Sequence, residues 1–159
     1  MLTPTIQQYI QQSILCWLAT VDSDGCPNVS PKELFLSTNE YTLVIAHIAS
    51  PQSVKNIQTQ PKVCVSFVDV FVQKGYKIKG KATLVSRHDS TYKDYNNLFQ
   101  QQYGNAFAMT AFIVIEVATV APILAPSYLF YPETTEAAQI QNALAAYRVK
   151  KLLEDNKSS

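Results

Sequence analysis

Histidine, cysteine and glycine are scarce in this chain, and each scarcity removes a class of protein. The three cysteines, Cys16, Cys26 and Cys64, are odd in number and widely spaced, with no C-x-x-C pair. Neither a disulfide framework nor a zinc ribbon is expected from them. The two histidines, His47 and His88, have no cysteine or carboxylate at ligand spacing beside them, so no zinc site is expected. The four glycines form no G-x-G-x-x-G and no G-K-[ST], which argues against a Rossmann or P-loop site. No G-x-S-x-G elbow supports a Ser-His-Asp triad. Net charge is small as well, at +1, so nothing drives the whole chain toward nucleic acid or an anionic membrane, and any anion site must be local. No apolar run reaches the length of a membrane span. The N-terminus lacks a basic stretch followed by an apolar one, so no secretory signal is seen and a reducing, cytoplasmic location is expected.

What is present suits one packed domain. At 159 residues, 47% apolar and 16% charged, the chain has enough apolar surface for a core and no sign of disorder. A single domain over 1–159 is expected. Cys16 and Cys64 lie in apolar strand-like runs and read as small core hydrophobes, while Cys26 follows a turn and is more exposed. Thr3 and Pro4 suit the cap and first turn of an N-terminal helix ending at Ser13. Six strand-like runs follow, within a barrel spanning 14–120: Ile14–Val21, Pro27–Leu36, Tyr41–Ile48, Val63–Val70, Tyr76–Arg87 and Ala111–Val120. Asp22-Ser23-Asp24-Gly25 reads as a hairpin turn closed by a left-handed Gly25, and Ser37–Glu40 as a second turn. A short helix is expected over Pro51–Thr59, and another over His88–Tyr103, where Tyr92, Tyr95 and Phe99 recur at helical spacing. His88, at that helix start, is expected on the surface. Ala121–Pro132, with three prolines, reads as irregular. A final helix is expected within 134–154, with a frayed tail at 157–159. Hairpin-linked strands with helices at the ends predict a mainly β fold, a six-stranded antiparallel barrel.

Two segments carry the chemistry. Ser50-Pro51-Gln52-Ser53-Val54-Lys55-Asn56 leaves a strand and opens a helix. Ser50 suits the N-cap and Pro51 the first helical position, so the N–H groups of Gln52, Ser53 and Val54 lack partners inside the helix. Free N–H groups and the positive end of the helix dipole favour a phosphate, to which Ser53 adds a hydroxyl and Lys55 a charge. Taken alone, the segment reads as an ordinary capped helix. In Pro27-Asn28-Val29-Ser30-Pro31-Lys32, strand alternation puts Asn28, Ser30 and Lys32 on one face. Three polar residues on one strand face often mark only the solvent side. Pro27 and Pro31, however, cannot donate to a ladder and belong at an edge or bulge, where a flat ligand can approach backbone and short side chains. Lys32 would then meet the helix start near Ser53 and complete a phosphate clamp.

Two further features are weaker. Lys77, Lys79 and Lys81 share a strand face, opposite Tyr76 and Ile78. Most such stripes are solvated edges, and a nucleic-acid surface would need more interleaved aromatics and a basic chain. Glu116 interrupts an apolar strand and reads as facing a partner or an interface cation.

The run Leu18-Ala19-Thr20-Val21-Asp22-Ser23-Asp24-Gly25-Cys26-Pro27-Asn28-Val29-Ser30-Pro31-Lys32 resembles the opening hairpin of the pyridoxamine 5′-phosphate oxidase-like FMN-binding split barrels. Ala49–Ile57, followed by Gln60-Pro61-Lys62-Val63, resembles their phosphate loop and next strand, and Lys74-Gly75-Tyr76-Lys77-Ile78-Lys79-Gly80 the strand after it. The resemblance runs in order from about Ile14 to Tyr131. It implies a split barrel holding FMN at a homodimer interface, with groups from both subunits. Lys32 matches the family's lysine near the phosphate, and Ser50, Gln52, Ser53 and Lys55 fall in the loop that cradles it. Asn28, Ser30 and Pro31 would follow the isoalloxazine edge, Ala46 and His47 the ribityl chain, and Lys74 and Tyr76 would reach the flavin from the partner subunit. The family's vitamin oxidases carry a glutamine near Gly75 and end in a tryptophan- and arginine-rich substrate motif. Here Trp17 is the sole tryptophan and Arg148 the one arginine after Thr134, which argues against the vitamin oxidase activity itself.

The implied function is an FMN-dependent oxidoreductase acting with an unidentified small-molecule substrate or electron donor, with no side chain assigned as acid or base. Its substrate would stack near Phe71, Tyr128 and Tyr131, aromatics that read equally as dimer-interface anchors. The alternative is a non-enzymatic FMN or haem store, chaperone or sensor on the same barrel. A third reading, single-stranded nucleic-acid binding through the Lys74–Lys81 stripe, predicts salt-sensitive binding and no flavin. Neither nucleic acid nor membrane is expected as a partner.

Overall fold

The computed structural model describes residues 1–149. The part of the expected last helix beyond 149 and the tail 157–159 lie outside them. Helix α1 (Pro4–Gln12) is capped by Thr3, whose hydroxyl accepts from Ile6 N. Strands β1 (Cys16–Val21) and β2 (Pro27–Lys32) form the expected hairpin. Gly25 takes a φ of 83°, and Asp22 Oδ1 accepts from the N–H groups of Asp24 and Cys26 to close the turn. Then come β3 (Phe35–Asn39), β4 (Thr42–His47), α2 (Pro51–Thr59), β5 (Lys62–Asp69), β6 (Lys74–Ser86), α3 (Tyr92–Tyr103), β7 (Ala111–Leu124), α4 (Pro126–Phe130) and α5 (Glu136–Tyr147).

All seven strands join one antiparallel sheet in the order β2-β1-β5-β6-β7-β4-β3. The two edges of that order, β2 and β3, are consecutive in the chain and joined by Glu33 and Leu34 alone. So short a link can connect opposite edges only if the sheet curls round to bring them together, which makes the split barrel. The count of seven corrects the expected six. The single run Pro27–Leu36 is broken at Glu33–Leu34, because its first half pairs with β1 and its second with β4. A straight strand cannot serve partners at opposite edges of a sheet.

Other boundaries move. Helix α3 begins at Tyr92 and not at the expected His88, because residues 87–91 form a turn in which Ser86 N–H donates to Asp89 Oδ2 at 2.7 Å. β7 continues to Leu124, four residues past the expected end, because its ladder with β6 runs down to Lys74. Helix α5 ends at Tyr147, where Arg148 adopts a left-handed conformation with φ 56° and accommodates the C-cap. The segment expected to be irregular holds the five residues of α4.

The barrel interior is filled by Leu18, Phe35, Leu43, Ile45, Val65, Phe67, Ile78, Ile113 and Ile115, with Leu2, Ile6 and Ile10 contributed from the N-terminal end. A second cluster lies outside the sheet, where Tyr92, Tyr95, Phe99 and Tyr103 of α3 pack on Val44, Ala46 and Phe112. Strands β4 and β7 are thus covered on both faces, which explains their continuous apolar runs. Between Lys79 and Gly80 the β6–β7 register shifts, and a Cβ at Gly80 would lie 2.2 Å from Glu116 O. That close approach admits only glycine. Among the described residues no helix is long and apolar enough to cross a membrane.

Candidate functional site

The inner face of β2 meets the start of α2. Along β2 the outward residues Pro27, Val29 and Pro31 are exposed, while Asn28 and Ser30 are half-buried and Lys32 is only 6% exposed. The expected polar face therefore points inward. Lys32 Nζ donates to Ser30 Oγ at 2.7 Å and to Ser50 Oγ. Ser30 and Ser53 hydroxyls lie 2.9 Å apart, and Asn28 Nδ2 donates to Ser53 Oγ at 3.4 Å and to Thr20 Oγ1 at 3.2 Å. Asn56 Nδ2 donates to the same Thr20 oxygen at 3.0 Å, and Gln52 Nε2 to Asn56 Oδ1 at 2.7 Å. Ser50 occupies the N-cap position of α2 but caps no helical N–H with its side chain. Val54 N–H, expected free, returns to Ser50 O at 3.3 Å, leaving Gln52 and Ser53 at the open end of the helix.

The electrostatics of this cluster are unbalanced. Among the described residues the one ion pair is Lys74 with Glu136, so no carboxylate neutralises Lys32. Burial holds the Lys32 ammonium below the ordinary lysine range. Burial pushes the neighbouring Cys16 thiol up to about 12, so it stays protonated and supplies no countercharge. The partners of Lys32 are instead the neutral hydroxyls of Ser30 and Ser50, which accept from its ammonium and can turn their own protons to an incoming anion. His47 ends β4 beside this cluster, with Nδ1 buried and unpartnered. Burial, and then the charge of Lys32, hold its pKa down and favour the neutral ring. A cleft of about 200 Å³ opens here, lined by Pro31, Lys32, Leu34, Ala46, Ser50 and Phe107 among others.

The structure thus brings together Asn28, Ser30, Pro31, Lys32, Ala46, Ser50, Gln52 and Ser53, with His47 at the margin. Lys55 is exposed on α2 and joins no bond of the network. Lys74 and Tyr76 lie on β6, which β1 and β5 separate from β2. Lys74 is paired with Glu136 at 2.7 Å and sits over the Tyr128 ring, and Tyr76 packs edge-on against Tyr9. Within one chain neither reaches the cluster. Phe71 and Tyr128 are likewise engaged locally, Phe71 against Tyr147 and Tyr128 through a hydrogen bond to Val72 O. Sequence reasoning missed Thr20 and Asn56, both 1% exposed, which anchor the network from beneath. Thr20 faces Asn28 across the hairpin, and the hairpin register was the signal that could have found it. The cleft residue Phe107 had no such signal.

A family model described as pyridoxamine 5′-phosphate oxidase matches residues 2–124. The heme oxygenase HutZ of Vibrio cholerae is 29% identical over 93 residues, which take in 54% of this chain and 52% of that protein. The chain thus matches about half the length of that curated relative. Among solved structures, HupZ of Group A Streptococcus superposes with a TM-score of 0.66 at 25% identity, covering 76% of this chain and 92% of that one. An FMN-binding protein from Syntrophomonas wolfei superposes with a TM-score of 0.64 at 14% identity, covering 76% and 84%. At that identity the second likeness is one of fold.

Proposed function

The chain belongs to the pyridoxamine 5′-phosphate oxidase family, and from that premise we propose that it is an FMN-binding flavoprotein, a homodimeric oxidoreductase acting on a small molecule. The observation that carries this reading is Lys32: a buried ammonium paired with no carboxylate among the described residues, set among serine hydroxyls at a helix start. A buried unpaired charge is costly, and a phosphate at a helix start would pair it. The residues present therefore fit the phosphate end of FMN.

In this reading Lys32 supplies the charge, Ser50 turns its hydroxyl proton to the phosphate oxygens, and the one proton that the Ser30–Ser53 pair does not spend on itself joins it. Thr20, Asn28 and Asn56 hold Ser53 in place. Ala46 and His47 follow the ribityl chain, and Asn28, Ser30 and Pro31 the ring edge. Bound FMN supplies the electron-transfer chemistry. The protein's part is to bind it, orient it and limit the access of water. Ligand pockets commonly span about 300–1,000 Å³, and the 200 Å³ cleft of one chain falls short of that. A second copy of the chain completes it, which is the argument for a dimer.

The test is an absorbance spectrum of the purified protein, with release and identification of any chromophore, followed by titration with FMN. Flavin bands and saturable uptake are expected. Lys32→Ala and Ser53→Ala should each weaken binding by about 1.5–3 kcal/mol, the usual worth of a charge-assisted hydrogen bond. Colourless protein that takes up no FMN sinks the reading. A second reading, haem binding or storage, is favoured by the likeness to the heme oxygenase HutZ, and the same cationic cluster would serve a propionate carboxylate. A Soret band on titration with hemin, without FMN uptake, would decide for it.

A further inference from the structure

The cleft beside Lys32 has a polar end and an apolar side. Its polar end is Lys32 and Ser50, while Pro31, Leu34, Ala46, Ile48, Ala49 and Phe107 supply the rest apart from Glu33. Two of these side chains are large, apolar and solvent-facing: Ile48 is 40% exposed and Phe107 51%. A phenylalanine and an isoleucine exposed on the lining of one cationic cleft leave apolar surface in water that a ligand ring would cover.

Phe107 sits on a short segment tied at its two ends. Helix α3 ends at Gly104, whose φ of 75° turns the chain sharply out of the helix. The segment is tied down again at Met109, whose carbonyl accepts from Tyr92 Oη at 2.6 Å, and at Thr110, whose N–H donates to His47 O at 3.1 Å. Among the described residues no backbone hydrogen bond holds 105–108 between those ties. A short loop pinned at both ends and free in the middle can swing one side chain without disturbing the barrel.

We propose that Phe107, backed by Ile48, stacks on the flat ring of the ligand whose phosphate Lys32 holds, and so selects phosphate esters that carry a flat aromatic ring over phosphates that carry none. The inference rests on the phosphate reading of the cluster and adds the group that chooses among phosphates. Phe107 is too far along the chain from the phosphate loop to share its motif, and its role follows from the shared cleft alone.

The experiment compares FMN with inorganic phosphate on three proteins: wild type, Phe107→Ala and Phe107→Trp in a Trp17→Phe background. FMN affinity is read from flavin fluorescence, and phosphate affinity from isothermal titration calorimetry with inorganic phosphate alone. Because Phe107 is exposed, the alanine variant is expected to keep the wild-type circular dichroism. Loss of a stacking partner should weaken FMN about tenfold while leaving phosphate within about twofold. In the tryptophan variant FMN should bind near wild-type strength and quench the new indole. Wild-type FMN affinity in Phe107→Ala, or equal loss of FMN and phosphate, overturns this inference and leaves the phosphate reading standing. Wild-type protein that binds phosphate but not FMN overturns the flavin reading and this inference together.

Discussion

Lys32 is where the fold and the site are in tension. A lysine that folding buries without a carboxylate lowers stability, and the same lysine gives an anion its reason to bind. Its pKa is lowered from the ordinary 10.5 by burial, so the unfolded chain binds more protons than the folded one between the two values. Stability of the unliganded protein therefore rises with pH through that window. A bound phosphate requires the charged ammonium, so affinity for FMN should fall as pH rises through the lowered pKa, before a free lysine would titrate. Fluorescence titrations over alkaline pH check this, with Lys32→Met as the control that loses both the affinity and its alkaline decline. The same variant, without ligand, should melt no lower than wild type, since it removes the desolvation cost of a buried charge that no carboxylate pairs. The placement of these side chains was legible in the sequence. Alternation alone set Asn28, Ser30 and Lys32 on one face, and the prolines between them marked an edge. Thr20 and Asn56 were not, because a buried threonine or asparagine looks like a solvent-facing one until its partners are known.

Among the elements, the hairpins were the most readable and the ends of long strands the least. Asp22-Ser23-Asp24-Gly25 announces its turn through Gly25 and the acceptor on Asp22, both local effects. The break at Glu33–Leu34 has no local cause; it follows from which strands accept each half, a long-range fact. The extension of β7 to Leu124 has the same origin, since β6 offers a ladder to residues that prolines would otherwise leave irregular. Gly80 offers a test at this scale. A methyl group there would meet Glu116 O at 2.2 Å and Ile115 Cγ2 at 2.8 Å. Gly80→Ala should therefore cost about 1–3 kcal/mol or more, read as a fall in Tm of roughly 2–4 °C for each kcal/mol. An unchanged melting curve would mean that the β6–β7 bulge relaxes freely.

For the molecule as a whole, the placement of Lys74 and Tyr76 makes assembly the central question. In one chain they stand two strands away from the cluster, and Lys74 is already engaged by Glu136 and the Tyr128 ring. If they serve the flavin, they serve the partner's. Sedimentation of the FMN-loaded protein should show a dimer, and a monomeric holoprotein would remove both residues from the site. The sequence disclosed the barrel because hairpin connectivity constrains strand order; a site shared between subunits came only from the family resemblance, and the sedimentation experiment tests it. The seam of the barrel carries a further consequence. Lys32 is the last residue of β2, and across the two-residue link the Phe35 amide donates to Tyr103 Oη while the Ala46 amide donates to Leu34 O. An anion held by Lys32 therefore sits on the line where the cylinder would have to part. Occupancy should act as a latch: deuterium uptake at Phe35 and Ala46 should slow on adding FMN, while that at Ile78, deep in the opposite wall, should change little.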